Sequence, residues 1–228
     1  MPTRAILKQR AKEQIKGKVW LLFLCLFIFT VISGVISSVS AHLTFNVNDV
    51  LTIDLNDARV FDLGIRDGFG PIVGSILDLI LFVFIIPSFA LGLAQIFLKV
   101  SRMERPAISE VFGGFSQWSR AFFLTLLIEV FTFLWALLFI IPGIIKAISY
   151  SMSYYILADK PDLTAREALN ESKRITKGHK AELFILALSF IPWLLLVSIT
   201  FGIAGIYVLP YIETTVANYY QELKNQTA

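Results

Sequence analysis

Apolar residues in this chain fall into long blocks, separated by shorter stretches in which charged residues recur at helical spacing. Val19 to Ala41 forms one block, and Pro71 to Leu98 forms a second with a single internal proline, Pro87. Each exceeds the roughly 20 residues that a helix needs to cross a hydrocarbon core about 30 Å thick. They predict transmembrane helices over 19–41 and 71–98, joined by an outer loop, 42–70. The third block, Ala121 to Ala158, is interrupted at Pro142-Gly143. Proline lacks the amide that a helix interior needs and glycine tolerates turn geometry, so the pair predicts the outer turn of a hairpin with helices 121–141 and 143–158. The rival is one kinked helix. Phe201-Gly202 divides the last block likewise, into 183–200 and 203–220.

The stretches before three of these helices are amphipathic. Over 4–18, Leu7, Ala11 and Ile15 make an apolar stripe beside Arg4, Lys8, Lys12 and Lys16, the pattern of a helix lying among anionic headgroups. Over 164–178, Thr164 and Glu167 form a capping box, and Ala168, Leu169, Ser172 and Ile175 share a face. Over 106–119, Ile108, Val111, Phe112, Phe115 and Trp118 have helical spacing, although Gly113-Gly114 weakens it. LKQRAKEQIKGKVWLLFLCLF from Leu7 resembles LNESKRITKGHKAELFILALSF from Leu169, with paired endings Lys16-Gly17 and Lys177-Gly178. A repeated unit accounts for this, and so does the plainer reading of basic linkers between spans. The predicted fold is an all-α membrane protein: one polytopic domain over 1–228, with six transmembrane helices in three hairpins, each preceded by an amphipathic interfacial helix.

Charge sets the orientation. Six basic residues precede the first block, four (Lys99, Arg102, Arg105, Arg120) lie between the second and third, and six lie between Lys160 and Lys180. The 42–70 loop carries only Arg59 and Arg66 against Asp49, Asp54, Asp57, Asp62 and Asp67. The positive-inside rule then places both termini in the cytoplasm and this loop outside. Composition agrees: 56% of residues are hydrophobic, 16% are charged, and the mean hydropathy is +0.72. The net charge of +3 could suggest nucleic acid, but the basic residues sit at block edges, so none is expected. Val39-Ser40-Ala41 resembles a cleavage site, yet the preceding run exceeds a signal peptide's about 7–15 apolar residues, and a retained span is expected. The single cysteine, Cys25, excludes a disulfide framework and a thiolate cluster.

Ionisable groups inside a bilayer are costly and are candidates for function. Asp78, Glu129 and Glu213 are the carboxylates within predicted spans, with Glu129 and Glu213 at similar depth. Lys146 either pairs with Asp78 or reaches the nearby outer surface. Lys146, Ser149, Tyr150 and Ser153, with Tyr154 adjacent, make a polar face on the fourth span, which serves a pathway or helix packing. Asp78, Glu129, Lys146, Tyr150 and Glu213 form the candidate intramembrane polar site. Arg4, Lys8, Lys12, Lys16, Lys173 and Lys177 are the candidate headgroup contacts. Ser88 with Gly92, and Gly34 with Ser38, read as packing pairs. Trp20, Trp118, Tyr219 and Tyr220 read as interfacial anchors. His42 and His179 fall on opposite sides of the membrane, so no metal site or histidine dyad is expected. DLNDARVFDLG has Arg59 where a calcium loop needs glycine, and no cofactor is expected.

WALLFIIPG, IIKAISYSMSYYILADKPDLTAREALNESKRITKGHK, LALSFIPWLLL and YVLPYIETTVANYY, all in the second half, resemble the bacterial integral-membrane family known as domain of unknown function 975. The resemblance implies the bacterial cytoplasmic membrane and supplies no activity. The expected function is non-enzymatic: an envelope-associated scaffold or protective protein whose partners are a bilayer with anionic headgroups and a membrane protein. Two alternatives stay open, a small proton- or cation-coupled transporter using the carboxylates, and an enzyme acting on lipid headgroups.

Overall fold

The computed structural model describes residues 3–45 and 80–227, without the side chains of 35–45, 81, 82 and 227. The described residues are helical, with no strand among them. Contacts divide the chain into a small unit, 28–86, and a larger unit formed by 1–27 and 87–228. The 42–70 loop and Asp78 fall outside the described residues, apart from the backbone of 42–45.

Helix α1 (Arg4–Ile15) is followed by α2 (Val19–Phe45). Gly17, at φ +78°, supplies the left-handed residue that turns the chain between them, and α1 is bent by 94° from the first part of α2. A π-helical turn, Leu81–Ile85, leads into α3 (Ile86–Ser101). Pro87 has no N–H to give the carbonyl four residues back, which accounts for the loosened turn beside it. A 3₁₀ segment, Ile108–Gln117, runs directly into α4 (Trp118–Leu138). The predicted middle interfacial helix is therefore a 3₁₀ segment, and the helix after it starts three residues before the predicted 121. Gly113-Gly114 is the reason: a Cβ on Gly114 would lie 1.9 Å from the Ser88 carbonyl oxygen, and one on Gly92 would lie 2.1 Å from that of Val111. The small Ser88–Gly92 pair does serve packing, against this segment. The other pair includes Ser38, whose side chain is outside the description.

Phe139, in an extended conformation, separates α4 from α5 (Ile140–Tyr150), so the break falls three residues before the predicted Pro142-Gly143 turn. Pro142 instead occupies the first turn of α5, where a missing N–H costs nothing. The chain does reverse. A Cβ on Gly143 would approach Ala136 to 2.8 Å, Lys146 lies over the Trp135 ring, and Tyr154 bonds Thr125. All three pairs are centred near Phe139, which fits an antiparallel hairpin and not a kinked helix.

Helix α6 (Ser153–Asp159) continues α5 after a break, and α7 (Ala165–Ile175) folds back along both. The capping box is present: Glu167 N–H donates to Thr164 Oγ1, and Thr164 N–H donates to Glu167 Oε2. Ala168, Leu169, Ser172 and Ile175 form the buried face, as predicted. Gly178, at φ +90°, ends this segment as Gly17 ends the first. Helices α8 (Lys180–Leu188) and α9 (Ile191–Ile199) are separated at Ser189-Phe190, and the turn into α10 (Gly205–Thr227) has Phe201 at φ +49° and Gly202 at +90°.

Four described helical stretches are long and apolar enough to cross a membrane: Val83–Ser101, Ile108–Leu138, Ile140–Asp159 and Lys180–Ile199. A fifth results if α1 and the first part of α2 count as one broken span. The predicted sixth span, 203–220, is absent from this set. Its helix carries Glu213, Thr214, Thr215, Asn218 and several tyrosines, and most of them are covered by neighbouring helices. Another expectation changes with it. Leu7, Ala11 and Ile15 are buried, and α1 lies against α10, so the stripe meets protein and not lipid.

Candidate functional site

The predicted polar site resolves into separate contacts around α6. Tyr154 and Tyr155 are consecutive, so their side chains leave the helix about 100° apart. The Tyr154 hydroxyl bonds Thr125 Oγ1 on α4 at 2.5 Å, within electrostatic range of Glu129. The Tyr155 hydroxyl donates to Glu213 Oε2 on α10 at 3.1 Å. Glu213 is thus bonded to α6 through Tyr155, while Glu129 lies near a different flank of α6, that of Tyr154.

Lys146 neither reaches out alone nor meets any described carboxylate; its Nζ sits 4.4 Å from the centre of the Trp135 ring. Tyr150 is buried with its ring 5.4 Å from Lys173 Nζ, which also approaches Phe131. Burial, with the charges of Lys146 and Arg166, pulls Lys173 below the ordinary lysine range. The rest of the polar face serves packing: the Ser149 carbonyl accepts from Ser172 Oγ at 2.8 Å, and Ser153 is fully buried.

The headgroup candidates divide. Arg4, Lys16 and Lys177 are exposed and available to anions. Lys8 donates to Ser189 Oγ at 2.7 Å and lies over Phe190, and Lys12 lies over Trp193 and Tyr211. Lys8, Lys12 and Lys173 therefore contact aromatic rings of the protein. Trp20 and Trp118 are exposed, as anchors require, but Tyr219 and Tyr220 are buried and bond Glu182 and Asp159. His179 is near Glu182, and no group of three metal-ligating side chains occurs among the described residues.

Comparison with protein families matches the chain to the one described as Protein of unknown function (DUF975), over residues 1–149 and 137–227. The chain belongs to this family. No curated protein and no solved structure matches it.

In this DUF975 protein a polar cluster among the described residues centres on a residue that sequence reasoning treated only as the end of a span. Asp159, with a side chain 5% exposed, pairs with Arg102, accepts from Lys224 at 2.6 Å and accepts from the Tyr220 hydroxyl at 2.9 Å. Beside it Gln14 donates to the Ser101 carbonyl and accepts from Asn218 Nδ2 at 2.6 Å, while Arg10 pairs with Glu222. These contacts join α1 and the ends of α3, α6 and α10. A hint was available: Arg102, Asp159 and Lys224 each close an apolar block, and chain ends at one membrane surface can meet.

A groove of about 420 Å³ lies between the α5–α6 break, α8–α9 and α10. Met152, Leu186, Phe190, Leu209 and Ile212 represent its largely apolar lining, and Glu213 is the one ionisable residue among the described residues that line it. Sequence reasoning found Glu213 but not the groove, because the groove depends on how three interrupted helices meet.

Proposed function

We propose that this protein is a non-enzymatic integral membrane scaffold of the bacterial cytoplasmic membrane, crossing it six times with both termini inside. The clustering of Arg102, Asp159 and Lys224 supports the even number of passes, since these residues close the second, fourth and sixth predicted spans. The chain reverses at Phe139 and at Phe201-Gly202 between them. In this reading α10 makes the last pass shielded by neighbouring helices, so its polar residues are satisfied by protein.

One observation carries the scaffold reading over proton-coupled transport: Glu213 is bonded by the Tyr155 hydroxyl, whereas Glu129 lies within electrostatic range of Tyr154, whose side chain leaves α6 about 100° away. Two carboxylates that share a dry site repel and hold a proton between them, whereas separated ones do not couple in this way. Gln14, Tyr155, Ser172, Asn218 and Tyr220, on α1, α6, α7 and α10, all bond neighbouring helices or their ends. The test is the pair of substitutions Glu129→Gln and Glu213→Gln, matched for expression. The scaffold reading expects the double variant to keep any pH-gradient-dependent phenotype and its thermal stability in detergent. Loss of the phenotype with intact stability would overturn it.

A further inference from the structure

All three walls of the groove are interrupted where they face it. The α5–α6 wall breaks at Ser151-Met152, the α8–α9 wall breaks at Ser189-Phe190, and α10 carries Pro210 in its interior. Ser151, Met152 and Phe190 at those breaks, and Leu209 beside Pro210, all line the groove. Interrupted apolar helices that converge on one cavity are the arrangement from which membrane proteins build ligand sites, because irregular backbone is tolerated there and not against lipid. The volume of about 420 Å³ falls in the range of small-molecule sites, which are mostly apolar with a few placed polar groups.

The placed polar group here is an acid. Glu213 is half-buried, and the Tyr155 hydroxyl engages Oε2 while no described group bonds Oε1. Lys8, the nearest cation to the Phe190 wall, is held by Ser189 Oγ and does not line the groove. Leu194 and Leu209 line the groove and are themselves exposed, as are the apolar Leu195 and Ile199 on α9. A ligand entering there comes from the bilayer, is largely apolar, and meets one carboxylate with an open oxygen.

We propose that this groove binds a lipophilic monocation, an amphiphile whose ammonium head pairs with Glu213 and whose apolar body fills the space between α8 and α10. Binding of this kind goes beyond a scaffold role and does not need the carboxylates to share a proton. The probe is dodecyltrimethylammonium, titrated calorimetrically into the full chain in phosphatidylcholine nanodiscs, with empty discs subtracted and dodecanol as the uncharged comparison. Wild type should show saturable binding of the cation, tighter than dodecanol by at least about tenfold, the scale of one charge-assisted contact. Glu213→Gln should remove that preference. Ala187→Phe, which narrows the groove and leaves Glu213 untouched, should weaken both ligands, and Glu129→Gln should change neither. No saturable signal above empty discs, equal binding of cation and alcohol to wild type, or an unchanged preference in Glu213→Gln would overturn the proposal. The wild-type comparison decides the charge requirement even if a variant fails to fold. A negative result here leaves the scaffold reading standing, since that reading is judged by gradient dependence and not by binding.

Discussion

Two parts of the larger unit obey opposite rules of burial. In the base, formed by α1, α6, α7 and the C-terminal half of α10, Tyr155, Tyr219, Tyr220, Gln14, Ser153, Ser172, Thr215 and Asn218 are buried, and most charged residues other than Asp159 face out. In the helical hairpins, Phe133, Leu137, Ile140, Ile199, Phe201 and Ile203 are all more than 60% exposed. In an 18-residue apolar part of Ile108–Leu138 and of Lys180–Ile199, only 17% is buried, against 61% in that of Val83–Ser101. A water-soluble protein does not expose apolar surface on that scale. The contrast teaches that the hairpins present a surface suited to lipid, whereas the base is held by hydrogen bonds and ion pairs, several of them centred on buried acceptors.

The largest effect should come from the close contact between α3 and the 3₁₀ segment. Gly92→Val places a side chain against the Val111 carbonyl, so α3 and the 3₁₀ segment must separate. A loss of about 3 kcal/mol or more is expected from overpacking backbone that has no room to yield, read as a fall in melting temperature in detergent. Asp159→Asn should come next. It removes the charge from a buried acceptor shared by Arg102, Lys224 and Tyr220, at a cost of about 2–3 kcal/mol, moderated because both cations are partly exposed and can rehydrate. Thr164→Ala removes the cap of α7 and should cost about 1 kcal/mol, seen as faster amide exchange in its first turn. Leu137→Ala, at a side chain 73% exposed, should stay within about 0.5 kcal/mol. An effect at Leu137 as large as that at Asp159 would erase the distinction between the two regions.

Acid sharpens the same contrast. Arg174, through its hydrogen bonds to Glu171, holds that carboxyl below the ordinary range, and the Thr164 backbone N–H does the same for Glu167. Both folded-state values are depressed, so the stability these groups contribute is present above the unfolded value near 4.5 and is lost as pH falls through the folded values. Melting curves should therefore fall in temperature below about pH 4.5, and the fall should be shallower in Glu171→Gln. An unchanged slope in that variant would show that α7 does not report on the base.

The hairpins were more legible in the sequence than the base because lipid imposes a simple rule on length and composition. The block ends at Leu98, Ala158 and Thr200 fall within three residues of described helix ends, and two left-handed glycines, Gly17 and Gly178, fall at the paired Lys-Gly endings. The turn was misplaced because Pro142-Gly143 is also suited to the first turn of a helix, and only the packing of Gly143 on Ala136 decides between the two. The stripe of α1 and the pair Tyr219-Tyr220 were assigned to the membrane surface because periodicity shows which residues share a face but not what covers it. In this protein α10 covers the first, and the neighbours of α10, through Glu182 and Asp159, cover the second. Glu213 was identifiable by type and place, yet its tyrosine and its groove needed contacts between residues far apart in the chain.

Nitroxide accessibility tests the central claim most directly. Single cysteines at Leu137, at Ile199 and at Asn170 would be spin-labelled in the full chain reconstituted in bilayers, in a background with Cys25 replaced, and exposed to dissolved oxygen and to a water-soluble nickel chelate. The account predicts that labels at 137 and 199 relax mainly with oxygen and the label at 170 mainly with the chelate. Chelate-dominated relaxation at 137 and 199, matching that at 170, would contradict it.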